Sequence, residues 1–386
     1  LFAFPSLPSS LQYSLALWAY GSNRSLREQA QALLSKQEQA LAWAAWGLNH
    51  DYADVRKLSI AWLVGLQAAS AQVIPLLNAR MQVEDDTKLR VQLLQGLIAL
   101  QADVSAYLSE AALLAEIAPV MAKKRPKAME WLAWEEMPVL QWQDGRPVSP
   151  ELLEGWLRLS MQMKEANGEG MWQIYLGLLD APSQDALGLF ALKQFVSEDL
   201  RPMTDAELNE LIDKEVPKKL KKFQKDYEQY PNYYSEYKDI TEEQVRAKLV
   251  EELGRYNDKQ TALPHKGLLA LTGAVAADEW YRTFRRYQRD FAYKTKQLGA
   301  LIQAAAAGDN ASVLPLIASL DVKASGNYIR TLSRATIAEY QERHEWTDEQ
   351  IADYVVPAFG MDAYSRLSLS YGERAFVLRL QIGRAH

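Results

Sequence analysis

Two sets of cations come closest, by type and spacing, to a surface that could do chemistry. Arg282, Arg285, Arg286 and Arg289 fall in a stretch where Trp280, Phe284, Tyr287 and Phe291 recur at i, i+4, i+7 and i+11. At about 100° per residue, that spacing predicts a helix with an aromatic stripe on one side and the arginines on the other. Guanidinium groups in a row can meet phosphates or the carboxylates of an acidic partner. The plainer reading is a solvated face balanced by Asp278 and Asp290. The second set is Lys214, Lys218, Lys219, Lys221, Lys222 and Lys225, followed by Tyr227, Tyr230, Tyr233, Tyr234 and Tyr237. Ammonium groups beside aromatic rings could hold a nucleic-acid backbone and stack its bases. Against that stand the interleaved acids Asp213, Glu215, Asp226, Glu228 and Glu236, and the habit of single-strand readers to present such rings on sheets. A mobile or docking helix is the plainer reading of this segment.

Other chemistry is poorly served. The four histidines, His50, His265, His344 and His386, are widely scattered, and there is no cysteine. Neither a recognisable metal site nor a disulfide framework is expected. The Gly168–Gly170 loop lacks the lysine that follows a phosphate-cradling turn, and no G-x-S-x-G elbow occurs. Adjacent acids such as Asp85 and Asp86, Glu135 and Glu136, or Glu251 and Glu252 point to different sides of a helix, which makes them poor catalytic pairs. No catalytic residue, cofactor or metal is therefore expected. Trp43, Trp46, Trp62, Trp131, Trp134 and Trp156 sit among leucine and alanine at helical spacing, and read as packing between helices rather than as the lining of a groove.

The elements that must position these side chains are mostly helices. With 386 residues, 48% of them hydrophobic and 24% charged, the chain has a globular balance and is long enough for two or three units. A net charge of −6 argues against broad non-specific binding of nucleic acid, while leaving room for a local basic ridge. No apolar run reaches the length a membrane helix needs; residues 267–277 are among the longest. Val55, Leu58, Trp62 and Leu66 define one helical face, and the block recurs 34 residues on, with Arg56 matching Arg90, Ile60 matching Leu94 and Leu63 matching Leu97. Acidic turns, Asp51 with Asp54 and Asp85 with Asp86, precede both helices. Such a period predicts paired-helix repeats of HEAT-like type; Ser25, Leu26 and Arg27, followed by Ala30, Leu33 and Leu34, read as a degenerate earlier copy. Thr204 with Glu207, Thr241 with Gln244, and Thr347 with Gln350 have capping-box spacing, and Ser149 precedes Pro150 as an N-cap. After Pro357 the period changes to two: Leu367, Leu369 and Tyr371, then Phe376, Leu378 and Leu380, predict a β-hairpin turning near Gly372.

Residues 353–380 carry a resemblance as well. Asp353, Val356, Pro357, Gly360 and Asp362, then Leu369, Tyr371, Gly372, Arg374 and Phe376, are similar to the D-R-x-V-P-x-x-G-L-D…L-D-Y-G-x-R-x-F region of bacterial proteins related to the molybdate metabolism regulator (MolR), which carry domain of unknown function 4132. Pro138, Val139 and Leu140 with residues 144–147 resemble that family's P-V-x-L…D-G-R-P-L segment; residues 179–195, 266–273 and 308–320 follow in the family's order. Tyr354 stands where many relatives have arginine, and residues 200–262 are longer than the family's connector. The resemblance implies a regulatory role and brings no established catalytic residue with it. Residues 382–386 read as a translated sequencing adapter, which makes the chain a fragment.

The expected fold is mainly α, an α-solenoid of HEAT-like helix pairs with a short β-hairpin near the C-terminus. Its organisation is expected as HEAT-like repeats over 1–125, a helical segment over 126–200, a charged, tyrosine-rich insertion over 201–262, further repeats over 263–345, and a helix with a hairpin over 346–381 that opens a truncated domain. The expected function is a non-enzymatic interaction scaffold in the bacterial cytoplasm, with a protein partner and no membrane. The alternatives are a nucleic-acid-associated protein using the arginine or lysine ridge, and an enzyme whose catalytic region lies downstream.

Overall fold

A computed structural model describes residues 7–254, 262–323, 326–355, 366–371 and 374–379. The fold is mainly helical. In chain order the helices are α1 (Ser9–Ala19), α2 (Arg24–Leu34), α3 (Ala40–Trp46), α4 (Ala53–Gly65), α5 (Ser70–Met81), α6 (Thr87–Ala99), α7 (Ser105–Leu108), α8 (Glu110–Met121) and α9 (Pro150–Gln162). They continue with α10 (Met171–Leu176), α11 (Ala181–Leu200), α12 (Asp205–Gln229), α13 (Glu242–Gly254), α14 (Ala277–Asp290), α15 (Thr295–Ala307), α16 (Leu314–Lys323), α17 (Asn327–Arg343) and α18 (Asp348–Val355). Strands β1 (Arg366–Tyr371) and β2 (Arg374–Arg379) pair antiparallel, Leu367 opposite Leu378 and Leu369 opposite Phe376. Gly372, Pro357 and residues 382–386 lie outside the described residues. The chain divides into two compact units, one built from Leu1–Lys123, Glu151–Gly155 and Glu169–Tyr175, the other from Lys124–Pro150, Trp156–Gly168 and Leu176–His386.

In the first unit, helices pack on their sequence neighbours: α1 on α2, α3 on α4, and α4, α5 and α6 on one another. Ile60, Leu63, Val73, Leu77, Leu93 and Leu97 form the fully buried interior of the last three. The sequence-matched positions share environments. Arg56 Nη1 donates to the carbonyls of His50 and Asp51, both at 2.9 Å; Arg90 Nη1 donates to those of Met81 (3.0 Å) and Glu84 (3.2 Å); Arg27 Nη1 reaches the carbonyl of Gly21 at 2.8 Å. Seven residues after each arginine, Leu34, Leu63 and Leu97 are all fully buried. Each arginine thus fastens the first turn of its helix to the loop before it, and one leucine two turns on fastens the helix to the core. Two expected details differ. Leu66 lies past the end of α4 as its C-cap, because the helix stops at a glycine with high backbone entropy cost. Trp46, the last residue of α3, is 59% exposed, against 5% for Trp62, with the Tyr20 and His50 rings beside it.

In the second unit α11 lies along the 3₁₀ segment Leu263–Thr272, which in turn packs on α15, while α16 packs on α17 and α18. Gly188 allows the approach, since a Cβ there would stand 2.9 Å from Val275 Cγ2 and 3.3 Å from the Leu271 carbonyl oxygen. Trp156 and Trp280 are both almost wholly buried. All three capping boxes form: Thr204 Oγ1 accepts from Glu207 N–H while Glu207 accepts from Thr204 N–H, and Thr241 with Gln244 and Thr347 with Gln350 repeat the exchange. Ser149 does not cap α9 with its side chain; Pro150 alone starts that helix. Among the described residues no single helix is long and apolar enough to cross a membrane.

Candidate functional site

Two helices of the second unit line a common groove, and two of the four predicted arginines stand on it. α11 starts where Asp180 accepts a hydrogen bond from Ser183 N–H at 2.9 Å, with a proline in its first turn. Its inner face, with Leu187, Ala191 and Phe195, is buried. Its other side offers Leu189, Leu192, Val196 and Leu200, flanked by Lys193, Ser197 and Arg201. α14 buries Trp280, Phe284 and Tyr287 and turns Glu279, Arg282, Thr283 and Arg286 toward the same space. The groove between them has a volume of about 470 Å³. Its base is aliphatic, with Leu192 and Leu200 buried and Leu189 and Val196 half-buried; Lys193, Arg282 and Arg286 are exposed around it.

The charges are unequally committed. Arg201 Nε donates to Glu198 Oε2 at 2.6 Å and Arg201 Nη1 to Glu207 Oε2 at 2.7 Å. The Arg201 guanidinium, helped by Thr204, holds the Glu207 carboxyl down at about 2. Arg282 pairs with Glu279 one turn earlier. Lys193 and Arg286 have no ion pair among the described residues. These two, with the Arg282–Glu279 pair between turns of α14, leave the rim positive.

The four predicted arginines therefore part ways. Arg282 and Arg286 face the groove; Arg285 lies over the Tyr281 ring, 5.9 Å from its centre; Arg289 is spent on its neighbour Asp290, Nε to Oδ1 at 2.7 Å. Their common exposure conceals different surroundings, because three of them have partners within their own helix.

Beneath the groove is a polar cluster that sequence reasoning missed. Asp199 is fully buried. Its Oδ2 accepts from the Tyr287 hydroxyl at 2.8 Å, its Oδ1 from the Ala262 N–H at 3.0 Å, and its carbonyl from the Lys294 ammonium at 2.7 Å. Lys294, itself 4% exposed, also stands 3.4 Å from Oδ2. Burial first, and then the Asp199 charge, push the Tyr287 phenol far above its ordinary range. Asp199 precedes Leu200 and Tyr287 follows Arg286, so this cluster sets the spacing of the two groove walls. A charged pair inside an otherwise apolar stretch was the available signal: residues 198–199 end a helix whose preceding eight positions are mostly hydrophobic.

The predicted lysines lie elsewhere in the same unit, all on α12. Within the first unit, a second concavity of about 510 Å³ is lined in part by Arg90, Glu116 and Tyr175, whose hydroxyl donates to Glu116 Oε2 at 2.5 Å. Among the described residues no group of three or more histidine and acidic side chains could hold a metal ion. No protein-family model, no curated protein and no solved structure matches the chain.

Proposed function

We propose that the chain is a non-enzymatic helical-repeat interaction scaffold that docks an acidic amphipathic helix in the groove between α11 and α14. The observation that carries this reading is the pairing of an aliphatic base at i, i+3, i+7 and i+11 of α11 with the positive rim of Lys193, Arg282 and Arg286. A helix laid in such a groove buries its apolar ridge on leucine and valine and sets glutamates against the cations. The base is about 16 Å long, three turns of helix at 1.5 Å per residue. The recurrent arginine anchors of α2, α4 and α6 support a HEAT-like solenoid for the first unit, and the alternation of residues 367–380 supports a β-hairpin. On this reading the protein is a member of the MolR-like family acting in the bacterial cytoplasm, as its resemblance and its lack of cysteine imply.

The experiment is titration of the full chain with a synthetic helix bearing leucine at i, i+3, i+7 and i+11 and glutamate at the flanking positions. Binding by calorimetry is expected, weakening at least tenfold in the Arg282→Glu, Arg286→Glu double variant and likewise on replacing the peptide's glutamates with lysine. Equal affinity for the acidic and basic peptides would overturn the proposal.

A further inference from the structure

The lysines of α12 form a second surface, independent of the groove. α12 and α13 pack on each other and enclose a core of their own: Ile212 and Val216 of α12 meet Val245, Leu249 and Leu253 of α13, with Phe223 and Tyr237 closing the end. At about 100° per residue, Lys214, Lys218, Lys221 and Lys225 fall within roughly 60° of arc, directly opposite Ile212, Val216 and Phe223. The four form a straight row about 16 Å long on the outward side, with steps of about 4.5 to 6 Å. Lys219 falls off the row toward α13, where it pairs with Glu252 at 3.2 Å and lies 5.9 Å from the centre of the Phe223 ring.

The interleaved acids, which argue against a binding role in the sequence, mostly point elsewhere. Asp213 is taken by Arg246 of α13, and Glu215 by Lys218 at 2.7 Å. Asp226 lies a third of a turn from the row, and the acids of α12 on its side lie beyond its ends, Glu207 (held by Arg201) and Glu210 before it and Glu228 after it. Lys214, Lys221 and Lys225 have no ion-pair partner among the described residues. Just past the row's C-terminal end, Tyr230 is 56% and Tyr233 82% exposed, while Tyr234 and Tyr237 are stacked at 5.6 Å.

We propose that this face binds single-stranded nucleic acid, the phosphates following the row Lys214, Lys218, Lys221 and Lys225 and a base stacking on Tyr233. An ammonium every turn matches a repeating anion better than a discrete one. The exposed Tyr233 ring that follows in the chain favours a strand whose base faces are open, which a duplex, a lipid surface or an acidic peptide does not offer. The row's short length limits the site to a few nucleotides.

The test is fluorescence anisotropy of the full chain with a labelled oligothymidylate between 50 and 200 mM salt. Four phosphate contacts predict that log K falls with log [salt] at a slope of about −3, from roughly 0.7 per contact on a single strand. The Lys221→Glu, Lys225→Glu variant should weaken binding at least tenfold at low salt and bring the slope to about −1.4, as two contacts are lost. Tyr233→Ala should lower affinity several-fold with the slope unchanged. Lys123→Glu with Lys124→Glu, which changes net charge equally, should leave both where they were. Absence of salt-dependent binding overturns the proposal, as does equal loss in the two lysine pairs. Preference for duplex, for phosphatidylserine vesicles or for polyglutamate over the oligonucleotide also overturns it.

Discussion

Replacing Glu84 with glutamine tests whether the interior of the first unit is held by charge as well as by leucine. Glu84 has a side chain 1% exposed and lies between Arg56 and Arg80, whose side chains are 12% and 14% exposed. Its carboxylate accepts from Arg56 Nε at 2.9 Å, Arg56 Nη2 at 3.0 Å, Arg80 Nε at 2.9 Å and Asp86 N–H at 3.1 Å. Burial works against the charge, yet Arg56, the Asp86 N–H and Arg80 together hold the carboxyl below its ordinary range. Glutamine keeps the shape but turns an NH₂ toward guanidinium donors, so about two charge-assisted bonds are lost at roughly 1.5 to 3 kcal/mol each. Two half-buried guanidiniums also lose their counter-charge, and the total expected is about 3 to 5 kcal/mol, the range found on breaking a buried pair. Hydrogen exchange of the α4–α6 amides reads this locally, which avoids assuming that a two-unit chain unfolds in one step. Because the folded carboxyl is depressed, its stabilisation is present above the unfolded value of about 4.3 and is lost as pH falls through the folded one. The difference between wild type and variant should therefore be constant near neutrality and shrink below about pH 4. A loss under about 1 kcal/mol at neutral pH, below the range expected for a buried pair, or a difference that ignores acidification, would refute the reasoning.

Two further substitutions probe the second unit. Asp199→Asn removes the carboxylate charge beside the buried Lys294 ammonium and should destabilise the unit by about 3 to 5 kcal/mol; thermal unfolding that is unchanged would remove the role given to this cluster in spacing the groove walls. Gly267→Ala places a Cβ 2.1 Å from the Ser160 carbonyl oxygen and 2.6 Å from that of Met163, so backbone must move, and a loss of about 3 kcal/mol or more in denaturant titration is expected.

Most of the helical architecture was legible because it rests on local rules. The three capping boxes form from residues three apart, and Trp280, Phe284 and Tyr287 of the expected stripe are buried where its period puts them, while Phe291 follows the helix as its C-cap and is half-buried. Spacing could also orient the arginines of α14, but not divide them. That Arg286 faces a groove depends on what α11 brings opposite, ninety positions away in sequence, whereas Arg289 is taken by Asp290, its neighbour in the chain. The 3₁₀ form of residues 263–272, which open the stretch expected to hold further helical repeats, has a similar origin: Gly267 is drawn against the Ser160 and Met163 carbonyls, and His265 breaks the helical angles.

The polar interior was the least legible part, and the reason is instructive about Glu84 and Asp199 alike. Glu84, beside Asp85 and Asp86, and Asp199, beside Glu198, follow no period, and on sequence grounds each is more often a solvated residue at a helix end. Here each becomes a junction, because its partners come from separate elements: Arg56 from α4 and Arg80 from α5 for Glu84, Tyr287 from α14 and Lys294 before α15 for Asp199. Leucine contacts of the kind that join α4 to α6 are tolerant of small shifts, whereas a buried carboxylate with three or four donors accepts one arrangement and penalises others. The helices could therefore pack in several registers on hydrophobic grounds alone; the acids choose among them. If that is right, the position of Arg286 opposite Lys193 is a consequence of Asp199 holding Tyr287, and a change that frees Tyr287 should weaken the acidic-helix groove without touching any residue that lines it.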